Sequence, residues 1–306
     1  MQVCKRAVCV FVVLLAPVPF CCASGAGAPK FLPGKQVGTV QAKDIKEASG
    51  IVASRTSRGV LWVHNDSGNA ATVFALNTEG RLLGTYRLKG ARCRDWEDIA
   101  IGPGPDPNGS YLYVGDIGDN EARYPSITIY CVPEPVVDPN RVLGEIEIGP
   151  PDAIELTYPD GPKDAETLLV DPLSGDIYVI AKREFLSRVY RAARPPSAAK
   201  RTAMELVARL PWGFAVGGDV SPDGHWVIVR GPFNACLWRR PEGEELWRAF
   251  TTEGFALRLL RERQGEGICF DADGRGFFTI GEQSRPPIYY FAEASSSQGS
   301  DAELPH

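Results

Sequence analysis

The sequence contains little of what zinc-dependent or nucleophilic catalysis requires. It has three histidines and two methionines among 306 residues, and none of its cysteines and histidines has the spacing of a zinc site. It lacks the G-x-S-x-G sequence of a nucleophile elbow and the G-x-x-x-x-G-K-S/T sequence of a phosphate-binding loop. These absences argue against a zinc enzyme, an α/β-type serine hydrolase and a P-loop nucleotidase.

A surplus of positive charge is also missing. The formal net charge is −5, from 33 Lys and Arg against 38 Asp and Glu. The basic residues are spread along the chain instead of forming a patch. This distribution argues against a nucleic-acid partner.

One long apolar stretch lies at the N-terminus. Lys5 and Arg6 precede the apolar run Ala7 to Ala16, and small residues follow from Ala23 to Ala28. This order is typical of a signal peptide, and the run is too short to span a membrane. We therefore predict a signal peptide at residues 1–25, a secreted or periplasmic protein, and no membrane span. Pro19 and Phe20, just before two adjacent cysteines, argue against a lipid anchor.

Eight cysteines are present, and four of them follow the predicted signal peptide: Cys93, Cys131, Cys236 and Cys269. An even number in an exported protein permits disulfides. Three of the four also lie in apolar strand patterns, where cysteine serves as a small buried side chain. The sequence leaves both interpretations open.

One pattern, a short strand followed by a turn and a second strand, is repeated five times. Its starts lie 48, 69, 52 and 48 residues apart, at Ser49, Glu97, Glu166, Gly218 and Glu266. Repeats of this length, with four strands each, are typical of β-propeller blades. We predict an all-β propeller of five blades. The longest gap leaves six blades open, with an extra hairpin around Ile146 to Thr157.

The ends of the repeat region complement each other. Lys35 to Gln41 is a strand that belongs to no complete repeat, and the last repeat ends at Ile288 to Phe291 without a fourth strand. We predict that the N-terminal strand completes the last blade and covers its open edge. The propeller should be a single domain at residues 30–292. The tail at 293–306 has the composition of disordered segments.

The repeats also bring acidic residues together. First strands line the channel of a propeller, so their starts and the ends of the second strands surround one mouth. Three glutamates at equivalent positions would repel one another unless they are protonated, paired with cations or bound to metal. Carboxylate oxygens favour a hard cation, and Ca²⁺ accepts six to eight of them. The candidate ligands are Ser49, Glu97, Glu166 and Glu266.

The order Ser-Gly, Glu, Glu, small residue, Glu-Gly at successive inner strands resembles that of the calcium-activated nucleotidases, or apyrases. The resemblance covers the repeat layout but not the loops. It implies five blades and a central Ca²⁺ held by the four candidates above. Gly218 departs from the family's serine, so Asp219, Ser221 or a carbonyl oxygen would take its place. The strings W-V-H-N-D-S-G, D-W-E-D-I-A and Y-V-G-D-I-G-D-N resemble a group of exported bacterial propellers, which implies the fold but no reaction.

Two functional hypotheses follow. In the first, the protein is a Ca²⁺-dependent hydrolase of a small anionic ester, of the phosphoester or lactone type. Asp116 or Asp66 would then be the general base, and Lys182, Arg183 and Arg230 would neutralise developing negative charge. In the second, the protein is a non-enzymatic binding or scaffold propeller with a structural cation and an extracellular ligand. The basic residues then only balance the glutamates.

Overall fold

The computed structural model describes residues 27–68, 70–194 and 201–294. The predicted signal peptide, the Pro/Ala-rich segment 195–199 and the tail from residue 295 lie outside the described residues. Within the described ranges, no helix is long and apolar enough to cross a membrane.

Strands form nearly all of the regular structure in these ranges. In chain order they are β1 (Lys35–Thr39), β2 (Ala48–Ala53), β3 (Val60–Asn65), β4 (Thr72–Asn77), β5 (Leu82–Leu88), β6 (Trp96–Pro103), β7 (Ser110–Asp116), β8 (Ile127–Pro133), β9 (Glu145–Ile148), β10 (Asp152–Thr157), β11 (Ala165–Val170), β12 (Ile177–Ala181), β13 (Arg188–Ala192), β14 (Thr202–Ala203), β15 (Glu205–Arg209), β16 (Gly217–Val220), β17 (Trp226–Arg230), β18 (Ala235–Arg239), β19 (Phe255–Leu257), β20 (Gly265–Phe270), β21 (Gly276–Gly281) and β22 (Pro287–Ala292). A 3₁₀ helix, Leu246–Thr251, precedes β19.

The strands form five sheets, which are the blades of a propeller. From the channel outward, their strand orders are β2-β3-β4-β5-β9, β6-β7-β8-β10-β14, β11-β12-β13-β15, β16-β17-β18-β19 and β20-β21-β22-β1. The innermost strands contact one another in a closed ring, β2 to β6, β11, β16, β20 and back to β2. The predicted five-bladed propeller is therefore confirmed.

The predicted closure is also confirmed. Strand β1 pairs antiparallel with β22, with Lys35 opposite Tyr290 and Thr39 opposite Pro287. It is the outer strand of blade 5, so the first and last strands of the propeller share one sheet. A further bridge joins Phe31 to Glu293.

The six-bladed alternative is wrong. Strand β9 returns to blade 1 and pairs parallel with β5, with Thr85 opposite Glu145. Strand β10 instead pairs antiparallel with β8 as the fourth strand of blade 2. Ile146 and Ile148 pack against the core around blade 1. The extra sequence therefore widens one blade and does not build another.

Burial on both faces explains the apolar sequence of the second strands of the blades. All five residues of β12 are buried, and Trp62, Trp96 and Trp238 are fully buried. Cys131 and Cys269 are buried thiols that form no disulfide. The D-A-D-G string at Asp271 forms the hairpin turn between β20 and β21, where Asp271 Oδ1 accepts the N–H groups of Asp273 and Arg275.

Candidate metal centre at the central mouth

β-Bulges present the acidic side chains of the inner strands. In four blades the pairing of the first strand with the second shifts at the predicted ligand position. A bulge leaves its extra residue outside the hydrogen-bond ladder and changes the direction of its side chain. The residues within the four shifts include Ser49, Glu97, Glu166 and Glu266.

Blade 4 has no such bulge. Gly217 pairs with Arg230 and Gly218 pairs with Val229 without a shift. The corresponding pairs of blade 3 enclose Glu166 between Ala165 and Thr167. Gly218 is therefore the counterpart of Thr167, and blade 4 contributes no residue at the ring position. The acidic ring is open on this side.

Asp219 lies one residue further down β16. Its Oδ1 accepts the N–H of Val220 at 2.8 Å, and its Oδ2 accepts the N–H of Phe270 in blade 5 at 2.9 Å. Asp98 makes the same kind of link, accepting the N–H groups of Ile99 and Leu168. Both carboxylates hold neighbouring inner strands together, which is a structural use of the group predicted as a ligand.

The second strands end in two kinds of position. Asp116 and Arg230 are the last paired residues of β7 and β17. Asp66 and Lys182 are the next residue along, one after Asn65 and Ala181. Successive strand residues point to opposite faces. The sequence alone does not distinguish the positions of these four residues, and the structure separates them into two sets.

Asp66 and Lys182, the residues just beyond the paired strand ends, face the mouth and lie beside the bulge residues. Ligand oxygens of Asp66, Asp95 and Glu97 all lie within 4.8 Å of one another. Glu282 occupies the corresponding position after β21. Lys182 Nζ forms an ion pair with Glu166 Oε1. Charged groups from four blades thus converge on one opening, with carboxylates in the majority.

A glycine makes room for the carboxylate cluster. A Cβ at Gly118 would overlap Glu97 Oε1 and would lie 2.5 Å from Asp95 Oδ2. The Gly118 N–H donates to the Asp95 carbonyl at 3.1 Å. Asp116 completes the support, since its Oδ1 accepts the Asp95 N–H at 2.8 Å. This explains the glycine in the sequence G-D-I-G-D.

Burial disfavours the charged form of the carboxyl groups at the mouth. It raises the pKa of Asp95 to about 6, with Asp66 adding repulsion. It raises the pKa of Glu166 to about 7, although Lys182 opposes the shift. Burial and then Glu282 raise the pKa of Glu266 to about 9. The pKa values of Asp66, Glu97 and Glu282 are raised by burial as well.

The positive groups predicted at the mouth are already paired. Burial lowers the pKa of Lys182, but Glu166, Glu266 and Glu97 outweigh it, so Lys182 stays charged. Arg230 is buried between blades 4 and 5, where its Nη1 donates to Glu262 at 2.9 Å and to the Gly267 carbonyl at 3.1 Å.

Arg183, the third positive group predicted at the mouth, forms an ion pair with Asp164, with 2.5 Å between Nε and Oδ2. The Ser49 hydroxyl donates to the Glu97 carbonyl at 2.5 Å.

His64 lies behind the mouth. Its Nδ1–H donates to the Asn65 carbonyl at 2.8 Å, and burial lowers its pKa to about 4. It is therefore neutral. A Cβ at Gly50 would lie 2.5 Å from His64 Nε2, so the Ser-Gly pair of blade 1 is needed to accommodate the imidazole.

Sequence reasoning missed Asp95 and Glu262. Asp95 stands two residues before Glu97 in D-W-E-D, a spacing that places both on one side of an extended chain. Glu262 lies in the loop before β20 and meets Arg230 only through the arrangement of blades 4 and 5. No local pattern indicates that pair.

No protein-family model matches the chain, and no curated protein matches it. Among solved structures it is similar to a chain of "Crystal structure of Nidogen/Laminin Complex", with 10% identity, 78% of this chain and 73% of that chain covered, and a TM-score of 0.46. It is also similar to a chain of hydrazine synthase from Kuenenia stuttgartiensis, with 12% identity, 81% and 97% coverage, and a TM-score of 0.43. Likeness at this level carries no argument about function.

Proposed function

We propose that this propeller binds Ca²⁺ at its central mouth and hydrolyses a small anionic ester there, outside the cytoplasm. The carrying observation is the convergence of Asp66, Asp95 and Glu97, whose ligand oxygens lie within 4.8 Å of one another. Glu166 and Glu266 lie close to this cluster and would supply further oxygen ligands to the cation.

The residues present fit a hard divalent cation. The cluster offers only carboxylate oxygens, which suit Ca²⁺ and Mg²⁺ better than zinc or copper. The raised pKa values of Glu97 and Glu266 have burial and neighbouring carboxylates as their causes. A bound cation would relieve both effects, since it supplies the missing positive charge.

The chain's own groups take separate roles in this proposal. When bound, Ca²⁺ supplies polarisation of a phosphoryl or carbonyl oxygen and a position for water. Asp66 offers one carboxylate oxygen to the cation and, with the other, accepts the proton of the attacking water. Asp116 is 4% exposed and holds the Asp95 backbone, so it is a positioning residue. Lys182 faces the negative charge that develops as the ester bond breaks.

A thermal melt tests the cation site. Ca²⁺ at about 100 times its Kd should stabilise the protein by about 2.7 kcal/mol relative to EDTA. For a domain of this size that is a rise of roughly 5–10 °C. Glu97→Gln should remove most of the rise, whereas Glu121→Gln, an exposed carboxylate on the same face, should keep it.

Catalysis needs its own measurement. Phosphate esters and lactones are incubated with the wild-type protein in Ca²⁺ and in EDTA. Hydrolysis that requires Ca²⁺ and is lost in Asp66→Asn supports the proposal. An equal melting temperature in Ca²⁺ and in EDTA would contradict the cation site and therefore the proposed Ca²⁺-dependent hydrolysis.

One observation favours a second candidate, a binding propeller with a structural cation. Lys182 is paired with Glu166 and Arg230 with Glu262, so both positive groups have protein partners already. In that case Ca²⁺ still raises the melting temperature, but none of the esters is hydrolysed.

A further inference from the structure

Three phenylalanines are exposed on the mouth side of blades 3 and 4. Phe185 is 86% exposed, Phe214 48% and Phe233 94%. They lie in the loops β12–β13, β15–β16 and β17–β18, all of which are on the face where Lys182 emerges. Apolar side chains exposed together commonly mark a binding surface. These three residues are called the phenylalanine platform below.

The three loops that carry the platform lie side by side, each in contact with the next. A Cβ at Gly213 would lie 3.0 Å from the Phe185 carbonyl oxygen, and one at Gly231 would lie 3.3 Å from that of Phe214. Phe233 follows Gly231 by two residues. The platform also adjoins the mouth, since the Phe214 N–H donates to the Lys182 carbonyl at 2.9 Å.

Phe214 is held in a strained conformation. Its φ is +63°, in the left-handed region that bulky side chains avoid. Strain of this kind persists where surrounding contacts impose it, and it is concentrated at ligand sites. Here it keeps an aromatic ring half exposed beside Lys182.

The platform also coincides with the opening in the acidic ring. Blade 4 lacks the bulge that carries an acidic or hydroxyl side chain in the other four blades. Phe214 lies three residues before the start of β16 in that blade, and Phe233 lies three residues after the end of β17. A ligand centred on the carboxylate cluster therefore has apolar rings on the side of blade 4, where the ring position carries no carboxylate.

We propose that the substrate is amphiphilic, with its anionic ester at the mouth and an apolar chain lying across the phenylalanine platform. This proposal rests on the proposed function, because the bound cation is what makes the acidic mouth attract an anion. The platform then sets specificity: it distinguishes esters by their apolar part, which the carboxylate cluster does not contact.

Calorimetric titration of the protein in saturating Ca²⁺ tests this, with inorganic phosphate, butyl phosphate and octyl phosphate as probes. Affinity should rise with chain length, by roughly tenfold or more from butyl to octyl, because added CH₂ groups are buried. The variant with Phe185→Ser, Phe214→Ser and Phe233→Ser should lose this dependence and keep its Ca²⁺-induced melting shift. Val136→Ser, 79% exposed on the opposite face, is the matched control.

The other outcomes are distinguishable. Equal affinities for butyl and octyl phosphate, with the Ca²⁺ shift intact, overturn the platform and leave the proposed function standing. Absence of the Ca²⁺ shift overturns the proposed function itself. Chain-length-dependent binding of octyltrimethylammonium in EDTA would then show that the carboxylates recognise an organic cation directly, which overturns the anionic assignment. In a further outcome, the protein sediments with neutral lipid vesicles, fails to do so in the triple serine variant, and binds no octyl phosphate. That result would show that the phenylalanines contact a membrane.

Discussion

Because the φ of Phe214 is positive, we predict that the glycine variant at this position is more stable than the alanine variant. At most positions the order is the reverse. Glycine adopts positive φ without steric cost, whereas other residues lose about 1–2 kcal/mol there. At ordinary positions glycine is instead less stable than alanine by about 0.5–1 kcal/mol. Phe214→Gly should therefore be more stable than Phe214→Ala. Because both variants lose the same half-buried ring, packing cancels in the comparison.

Phe185 provides the reference for this pair. It lies outside the positive-φ region and is mostly exposed, so Phe185→Ala should be more stable than Phe185→Gly. The difference between the two glycine–alanine comparisons is the strain at Phe214, about 1–2 kcal/mol. Urea unfolding followed by tryptophan fluorescence measures all four variants, and their m-values should agree.

The four-variant comparison has a clear negative result. If the difference in stability between the glycine and alanine variants is the same at both positions, the backbone at Phe214 is unstrained. The fold then does not hold this ring out for a ligand at a cost in stability. If glycine is favoured only at Phe214 while octyl phosphate affinity falls in both Phe214 variants, the strain serves binding at the expense of stability.

Three further predictions follow from the mouth and its surroundings. Gly118→Ala should abolish the Ca²⁺-induced melting shift, because the added methyl group overlaps the carboxylates of Asp95 and Glu97. A retained shift would mean that Ca²⁺ binds elsewhere. The raised folded-state pKa values of Glu166 and Glu266 mean that the native state binds more protons than the unfolded state between about pH 4.5 and 9. Stability in EDTA should therefore fall as pH rises through that window, and Ca²⁺ should flatten the profile; a flat profile in EDTA would show that these groups are not shifted. Glu262→Gln should cost about 3–5 kcal/mol by leaving Arg230 buried with an unmatched charge, against less than about 1 kcal/mol if the pair is dispensable, as urea unfolding would show.

The repeated strand pairs made the propeller predictable. Apolar alternation and turn residues recur at nearly regular spacing, so the five blades and the closing strand β1 followed from the sequence. The extra segment of blade 2 did not. Strand β9 is short and pairs parallel with a strand of another blade, and parallel pairing over such a distance leaves no local signal.

The candidate site was predictable in composition but less so in geometry. Glu97, Glu166 and Glu266 were found because they repeat. Their bulges were not, since a bulge depends on pairing register. Without that register, Arg230 appeared equivalent to Lys182, although it is one residue out of step and faces the opposite way. A shift of one residue in a strand is enough to exchange a mouth residue for a buried one.

The sharing of blade 5 between the two ends of the propeller has a consequence for how the protein is made. Strand β1 leaves the ribosome first among the strands but can pair only with β22, which leaves last. At synthesis rates of about 5–20 residues per second, β1 waits roughly 10–60 s for its partner. During that interval its hydrogen-bonding edge is unsatisfied, and β2, the inner strand of blade 1, lacks its packing neighbour β20, which is also late. The ring thus becomes complete in a single late event, which makes the nascent chain depend on protection until its last blade emerges.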